Sequence, residues 1–198
     1  MQLDSDAPEP WLLAQGADVL RQGGVVAFPT ETFYGLGADA WQPEAVRRVF
    51  EAKGRPESKP LLVLVSSVLM AESLVEEIPS QARSLMDRYW PGPLTLVFRA
   101  RARVPPEVTA GTGTIGMRIP GNRIARGLVH AAETPITAPS ANLSGASPAV
   151  RADEVVHALA GRIDLVLDGG ATAGGPPSTV LDVTANPFRV LRPGAIRF

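Results

Sequence analysis

The chain has 198 residues, of which 45% are hydrophobic and 20% are charged, and its formal net charge is −1. This length and composition predict one globular domain with a sizeable core. The near-neutral charge excludes nucleic-acid recognition by bulk electrostatics, although a local basic cavity is compatible with it. The sequence contains no cysteine, which excludes disulfides, zinc–thiolate sites and thiol catalysis.

Membrane, targeting and metal signals are also missing. No stretch approaches the roughly 18 consecutive apolar residues of a membrane span. The first ten residues are acidic and contain proline, unlike a signal peptide. We therefore predict a cytoplasmic protein without membrane contact. His130 and His157 stand apart and form no metal-binding pattern, so we predict no protein-held metal.

Helix-like and strand-like segments alternate along the chain. Apolar residues at helical spacing predict helices over 11–22, 43–52, 68–77, 80–89, 122–132 and 152–159. Short apolar runs predict strands over 25–28, 61–65, 94–98, 115–119, 135–138, 165–167, 180–183 and 188–191. The alternation predicts an α/β fold with helices packed on a sheet. We predict a single domain over 1–198, in which only residues 1–9 form a flexible extension.

Four loops rich in glycine and proline lie beside the predicted strands. They read PTETFYGLG over 29–37, GRPESKP over 54–60, APSANLSG over 138–145 and DGGATAGGPPST over 168–179. Such loops at strand ends are where α/β proteins place ligands, whereas a single one would be interpreted as a turn. Four in one small domain favour a binding site.

Both lysines lie in the stretch 53–59, which overlaps one of these loops. The chain has 17 arginines but only two lysines, Lys53 and Lys59, with Arg55 between them. Three cations this close repel one another unless an anion lies among them, and a polyphosphate suits both lysine and arginine. A solvated basic turn at a helix C-terminus is the alternative, since the helix dipole favours cations there.

Two further segments carry candidate ligand-binding groups. GTGTIG over 111–116 matches GxGxxG but runs into a strand instead of a helix, so we reject a dinucleotide fingerprint. Arg118 lies in an otherwise apolar strand, where it requires either a structural carboxylate or a ligand carboxylate or phosphate. Ser140 and Asn142 offer a hydroxyl and an amide at alternate positions of one loop, suited to phosphate or ribose oxygens.

Four spaced motifs resemble one known family. PTETFYGLG, KGRP over 53–56, MRIP over 117–120 and SANLSG over 140–145 are similar to motifs of the YrdC/Sua5 family, whose members are L-threonylcarbamoyladenylate synthases. The resemblance extends from about Val25 to Arg192. It implies a twisted, open, mixed sheet with helices packed on it and a large concave basic cavity. It also implies the short, single-domain form of the family.

The resemblance implies roles for eleven residues. Lys53 and Arg55 would be catalytic and would bind ATP. The other implied ATP contacts are Lys59, Thr114, Ser140, Asn142, Ser147 and Arg192. The L-threonine substrate would be held by Thr32, Arg118 and Ser178, with Arg118 on its carboxylate.

The implied reaction joins L-threonine, bicarbonate and ATP into threonylcarbamoyl-AMP and pyrophosphate, for N6-threonylcarbamoyladenosine formation at position 37 of tRNA. Mg2+ would bind mainly as its complex with ATP, because the sequence has no Asp/Glu cluster that indicates a metal site. The implied partners are the downstream tRNA threonylcarbamoyl-transfer machinery and, weakly, tRNA or double-stranded RNA. Leu64 departs from the family pattern, since some relatives have histidine there.

Three alternatives remain open at this point. A non-synthesising YrdC-like protein would bind a nucleotide without forming the adenylate. An RNA-binding module would use the basic cavity on double-stranded RNA, with steep salt dependence. A carbamoyl-transferring relative would share the fold, but such proteins are larger and have several domains.

Overall fold

The alternating pattern produces seven helices and nine strands in the computed structural model, which describes residues 1–198. The helices are α1 Pro10–Arg21, α2 Pro43–Lys53, α3 Val68–Leu74, α4 Ser80–Tyr89, α5 Pro106–Thr109, α6 Arg123–Ala132 and α7 Ala152–Leu159. The strands are β1 Val26–Pro29, β2 Tyr34–Gly37, β3 Leu62–Leu64, β4 Leu94–Arg99, β5 Thr114–Arg118, β6 Ile136–Thr137, β7 Leu165–Val166, β8 Thr179–Asp182 and β9 Arg189–Arg192. None of the helices combines the length and apolarity needed to cross a lipid bilayer.

The helix ends follow from local sequence signals. Helix α2 has proline in its first turn and ends at Gly54, whose φ of 57° is easily adopted only by glycine. Helix α6 begins after Asn122, whose side chain accepts hydrogen bonds from the amides of Ile124 and Ala125. These signals place both helices within one residue of their predicted bounds.

The strands form two mixed sheets instead of the single sheet predicted. One has the order β2-β1-β7, and the other has the order β6-β3-β5-β4-β8-β9. Parallel pairs (β1 with β7, β3 with β5, β4 with β8) alternate with antiparallel ones. Isolated bridges join the sheets, pairing Gly35 with Ser140 and Asp39 with Ile136. The predicted mixed α/β architecture is confirmed. The sequence did not indicate that the strands divide into two sheets.

Strand β2 lies in a segment that the sequence predicted as a loop. Its glycines indicated a turn, but Gly37 is needed for packing: a Cβ atom there would lie 2.7 Å from the Phe28 ring. Phe28 is fully buried. The glycine therefore allows β2 to lie against a core aromatic ring on β1, and the chain stays extended.

Two hydrophobic cores support the sheets. The larger core contains residues of both sheets and of α2, such as Tyr34, Phe50, Leu94 and Met117. The smaller one lies between α1, α6 and β1 and includes Leu20, Phe28 and Leu128.

The first residues of the predicted flexible extension over 1–9 are in contact with the domain in this structure. The amino group of Met1 donates to the Val166 carbonyl oxygen at 2.8 Å, and the Leu3 amide donates to that of Asp168 at 2.8 Å. The Leu3 side chain is 5% exposed and belongs to the smaller core. The segment is docked because Leu3 buries apolar surface and the backbone finds partners beside β7.

Replacing Leu3 by alanine is expected to lower the free energy of unfolding by about 2 kcal/mol, because a buried leucine loses its packing. Urea denaturation measures the change. The control is Leu69→Ala, at a leucine that is 77% exposed, with an expected change within about 0.5 kcal/mol. An effect at Leu3 no larger than the control's would restore the interpretation of a flexible extension.

Candidate active site

All four glycine- and proline-rich loops meet at one cavity of about 450 Å³. Its lining comes from the 29–37 loop, from the segment after α2, from the 138–148 segment, from the end of β5 and from β9 with the residues before β8. The lining residues are Thr30, Thr32, Phe33, Tyr34, Gly35, Arg55, Pro60, Leu62, Arg118, Ala138, Pro139, Ser140, Pro148, Pro177, Ser178 and Arg192. A second cavity of about 310 Å³, between α4 and the β8–β9 turn, contains none of the predicted site residues.

Three arginines face this cavity with little negative charge to balance them. Arg55 and Arg192 make hydrogen bonds only to neutral groups, and Arg118 alone forms an ion pair, with Glu31. Burial lowers the pKa of all three guanidinium groups, and the charge of Arg118 lowers the pKa of Arg192 further. These groups stay protonated nonetheless. The cavity is therefore suited to anions.

Arg118 has a structural carboxylate partner and a free edge. Its side chain is buried, and Nη1 donates to the Glu31 carboxylate and, at 3.4 Å, to the Gly92 carbonyl oxygen. The Nε and Nη2 atoms of Arg118 donate to no protein acceptor and remain accessible to solvent. Of the two partners that the sequence left open, the carboxylate is present, and half of the guanidinium remains available for a ligand.

Arg192 is held at the rim by Ser178. Its Nη2 atom donates to the carbonyl oxygen and to the hydroxyl oxygen of Ser178, both at 2.9 Å. The Ser178 hydroxyl also lies 3.0 Å from that of Thr95, which is fully buried on β4. These hydrogen bonds to Thr95 and Arg192 hold the Ser178 side chain between the buried strand β4 and the cavity. Thr32 is fixed in a similar way, with its hydroxyl 3.2 Å from that of Thr30.

Lys53 is placed differently from its prediction as a phosphate ligand. The side chain is 3% exposed, and Nζ donates to the carbonyl oxygens of Ser140 and Asn142, the latter at 2.7 Å. The Asn142 Oδ1 atom accepts a third, longer bond at 3.4 Å. All three ammonium protons are thus directed at the 140–142 loop. In this structure Lys53 ties the end of α2 to that loop and does not face the cavity.

Asn142 is likewise committed within its loop. Its Nδ2 atom donates to the carbonyl oxygens of Leu143 and Ala146, both at 2.7 Å, and the residue is 7% exposed. It stabilises the loop that presents Ser140, which does line the cavity. Three other predicted ATP contacts lie outside the cavity lining, namely Lys59, Thr114 and Ser147. Lys59 and Ser147 are exposed, and the Thr114 hydroxyl is 2.9 Å from that of Thr112.

The structure therefore unites six of the eleven predicted residues in the cavity lining, which are Thr32, Arg55, Arg118, Ser140, Ser178 and Arg192. Sequence reasoning missed Glu31, Thr30 and Thr95, whose contacts hold these residues. Only the hydroxyl-rich composition of the 29–37 loop could have indicated Thr30. No group of three or more His, Cys, Asp or Glu side chains is arranged to hold a metal ion.

Fold and site together define the class of protein: an α/β domain with an arginine- and hydroxyl-lined cavity that suits an anion. The Sua5/YciO/YrdC family model, described as "Telomere recombination", matches residues 18–194. The chain belongs to the Sua5/YciO/YrdC family, as the resemblance implied.

Individual relatives agree with this assignment. The threonylcarbamoyl-AMP synthase of Pyrococcus abyssi is 46% identical over 188 residues, which cover 95% of this chain and 55% of that protein. The threonylcarbamoyl-AMP synthase of Bacillus subtilis is 44% identical over 196 residues, covering 98% of this chain and 56% of that protein. The crystal structure of P. abyssi Sua5 complexed with L-threonine has a TM-score of 0.95 at 44% identity, covering 99% of this chain and 58% of that one. This chain thus spans a little over half the length of these three.

We expect the Lys53 ammonium to titrate near pH 8. Burial, and secondarily the charge of Arg55, lower its pKa from an ordinary 10.5 to about 8. Because the chain has only two lysines, selective lysine labelling gives two side-chain NMR signals, and Lys59→Arg removes the other one. A midpoint for Lys53 close to 10.5 would contradict this expectation.

The same shift predicts a pH dependence of stability. The pKa of Lys53 is lower in the folded chain than in the unfolded chain, so the unfolded chain binds more protons between pH 8 and 10.5. The contribution of Lys53 to the free energy of unfolding therefore increases as the pH rises through this window. The difference between the wild-type protein and Lys53→Met isolates this contribution.

Proposed function

We propose that this domain is a threonylcarbamoyl-AMP synthase that converts L-threonine, bicarbonate and ATP into threonylcarbamoyl-AMP and pyrophosphate. The observation that carries the proposal is the charge of the cavity, where three arginines are balanced by one carboxylate. A carboxylate and a polyphosphate, bound side by side, would neutralise such a cavity. Family membership and the names of the relatives above support the same reaction.

Each substrate has a suitable part of the cavity. Arg118, with Thr32 and Ser178 beside it, offers a guanidinium edge and two hydroxyls to the polar groups of L-threonine. Arg55, Arg192 and Ser140 remain for the ATP phosphates. Lys59, Thr114 and Ser147 stay predictions as outer contacts of the nucleotide.

Lys53 and Asn142 act in this proposal through the loop that they hold. Their hydrogen bonds fix residues 140–142, so that Ser140 is held in the cavity lining. Lys53 would contact phosphate only if ligand binding displaced its carbonyl acceptors. We therefore place Arg55 against the phosphates and give Lys53 a positioning role, which revises its predicted catalytic role.

The chemistry requires positioning and charge stabilisation more than a protein nucleophile. Bicarbonate loses hydroxide to become CO2, and the amine of threonine adds to the CO2 carbon and loses a proton. The hydroxide and the proton leave as water, and the new N–C bond gives the carbamate. A carbamate oxygen then attacks the α-phosphorus of ATP, and the bond to the β-phosphate breaks to release pyrophosphate. Arg55 and Arg192 would offset the negative charge on the phosphates in this step. Mg2+ belongs in this scheme to the substrate, as the ATP complex.

The product and its use define the remaining parts of the proposal. Threonylcarbamoyl-AMP is a reactive mixed anhydride, so a tRNA threonylcarbamoyl-transfer machinery must consume it. Direct contact with tRNA or double-stranded RNA would be weak, because the chain has a net charge of −1. Substrates and partners of this kind belong in the cytoplasm.

Pyrophosphate release from ATP tests the function. We expect release by the purified protein to require both L-threonine and bicarbonate, since the carbamate forms only when both are present. A folded sample that binds ATP without releasing pyrophosphate would contradict the proposal. That result would favour a non-synthesising nucleotide- or RNA-binding member of the family, and RNA binding that weakens steeply with salt would separate these two.

The role of Arg118 is tested by Arg118→Lys, which keeps a cation beside Glu31 but removes the planar guanidinium. We expect the dissociation constant of L-threonine to rise at least about tenfold, the loss of one bidentate charged contact, while that of ATP changes less than about threefold. Isothermal titration calorimetry measures both. Equal weakening of both ligands would give Arg118 a shared or structural role.

A further inference from the structure

Glu31 is the only acidic residue that forms an ion pair with an arginine of the cavity lining, and that arginine is Arg118. It belongs to the turn between β1 and β2, with the cavity residues Thr30 and Thr32 on either side. Glu31 is not itself part of the cavity lining, and its side chain is 20% exposed. Its side-chain contact with the cavity lining is the ion pair with Arg118.

The two oxygens of the Glu31 carboxylate have different surroundings. One oxygen accepts from Arg118 Nη1, and the other is enclosed and has no hydrogen-bond partner. Gly121 lies close by, and a Cβ atom on it would be 3.9 Å from the Glu31 carboxyl carbon and 3.6 Å from the Gly92 Cα atom. The backbone of Gly121 therefore lies near the Glu31 carboxylate.

The ion pair has two effects on the guanidinium. It engages Nη1, so the plane of the group is fixed and only the Nε and Nη2 edge is left for a ligand. It also offsets most of the Arg118 charge, whereas Arg55 and Arg192 keep theirs in full. Of the three arginines, Arg118 therefore has the least unbalanced positive charge. A monoanion suits Arg118, whereas the unpaired Arg55 and Arg192 suit a polyphosphate.

We propose that Glu31 is a positioning and selectivity residue, which orients Arg118 and restricts its free edge to a carboxylate in preference to a phosphate group. The identity of that carboxylate as L-threonine rests on the proposed function. The preference for a monoanion over a dianion does not, because it follows from the Glu31–Arg118 pair. A phosphate at Arg118 brings more negative charge close to Glu31 and is repelled more strongly.

Two variants separate orientation from charge. Glu31→Gln keeps the side-chain volume and an oxygen acceptor for Nη1 but removes the charge. Glu31→Ala removes both and leaves a buried cation unpaired, which makes it the less stable of the two. The matched control is Glu107→Gln, because Glu107 also pairs with an arginine, has an enclosed oxygen without a partner, and lies outside the cavity.

The experiment measures L-threonine binding by calorimetry, alone and in competition with inorganic phosphate above neutral pH. For Glu31→Gln we expect a threonine dissociation constant within about threefold of wild type and phosphate competition at least about tenfold stronger. For Glu31→Ala we expect threonine binding to weaken at least about tenfold, because Arg118 is no longer held. The Glu107→Gln control should match wild type in both measurements.

Other outcomes would overturn the proposal. Unchanged phosphate competition in Glu31→Gln would refute the selectivity role. A loss of threonine binding in Glu31→Gln as large as in Glu31→Ala would mean that the charge itself is required. Wild-type-like threonine binding by a folded Glu31→Ala protein would refute the orienting role.

The proposal remains testable if the proposed function is wrong. If the wild-type protein binds no L-threonine, the function fails, but phosphate binding still reports on Glu31. In a background with Arg55→Gln and Arg192→Gln, where Arg118 is the one arginine left in the cavity lining, Glu31→Gln should then bind phosphate at least about tenfold more tightly than the unchanged Glu31 protein and Glu107→Gln. Equal phosphate affinity in all three proteins would refute the selectivity role independently of the substrate.

Discussion

Hydrogen bonds between the two sheets hold the site together. The backbone amide of Leu36 donates to the carbonyl oxygen of Pro139 at 2.8 Å, and that of Ala141 donates to Tyr34 at 2.7 Å. The buried Thr137 hydroxyl completes the junction by donating to the Leu36 carbonyl oxygen and accepting from the Ala38 amide. The bonded residues include or adjoin residues of the cavity lining, namely Tyr34, Gly35, Pro139 and Ser140. Their spacing is therefore set by backbone geometry and not by flexible side chains.

Local structure was largely predictable from the sequence, whereas the pairing of the strands was not. Helix α2 begins at Pro43 as predicted, because proline is favoured in the first turn of a helix, whatever the tertiary contacts. Strand β2 was missed because Gly35 and Gly37 indicate a turn, and only the position of Phe28 shows that they make room for its ring. The division into two sheets depends on contacts between distant segments, which hydrophobic periodicity does not report.

The site was predictable in its residue types and less so in its contacts. Arg118 was identified because a guanidinium in an apolar strand requires an anion, and Arg55 because cations cluster around it. The partner of Arg118 lies 87 residues away in the sequence, as does the Ser140 oxygen that Lys53 binds. Neither pairing has a local signal. The sequence therefore predicts Lys53 on phosphate, whereas in this structure its ammonium donates to carbonyl oxygens.

The imbalance of charge in the cavity also makes the stability of the folded chain depend on whether an anion is bound there. Arg55, Arg118 and Arg192 lose hydration on folding, and Glu31 neutralises only one of them. The empty protein therefore contains a repulsion that any bound anion relieves, and anions that bind only the folded chain stabilise it by mass action. Phosphate or sulfate in a buffer would serve as such an anion, and the melting temperature would then depend on the choice of salt.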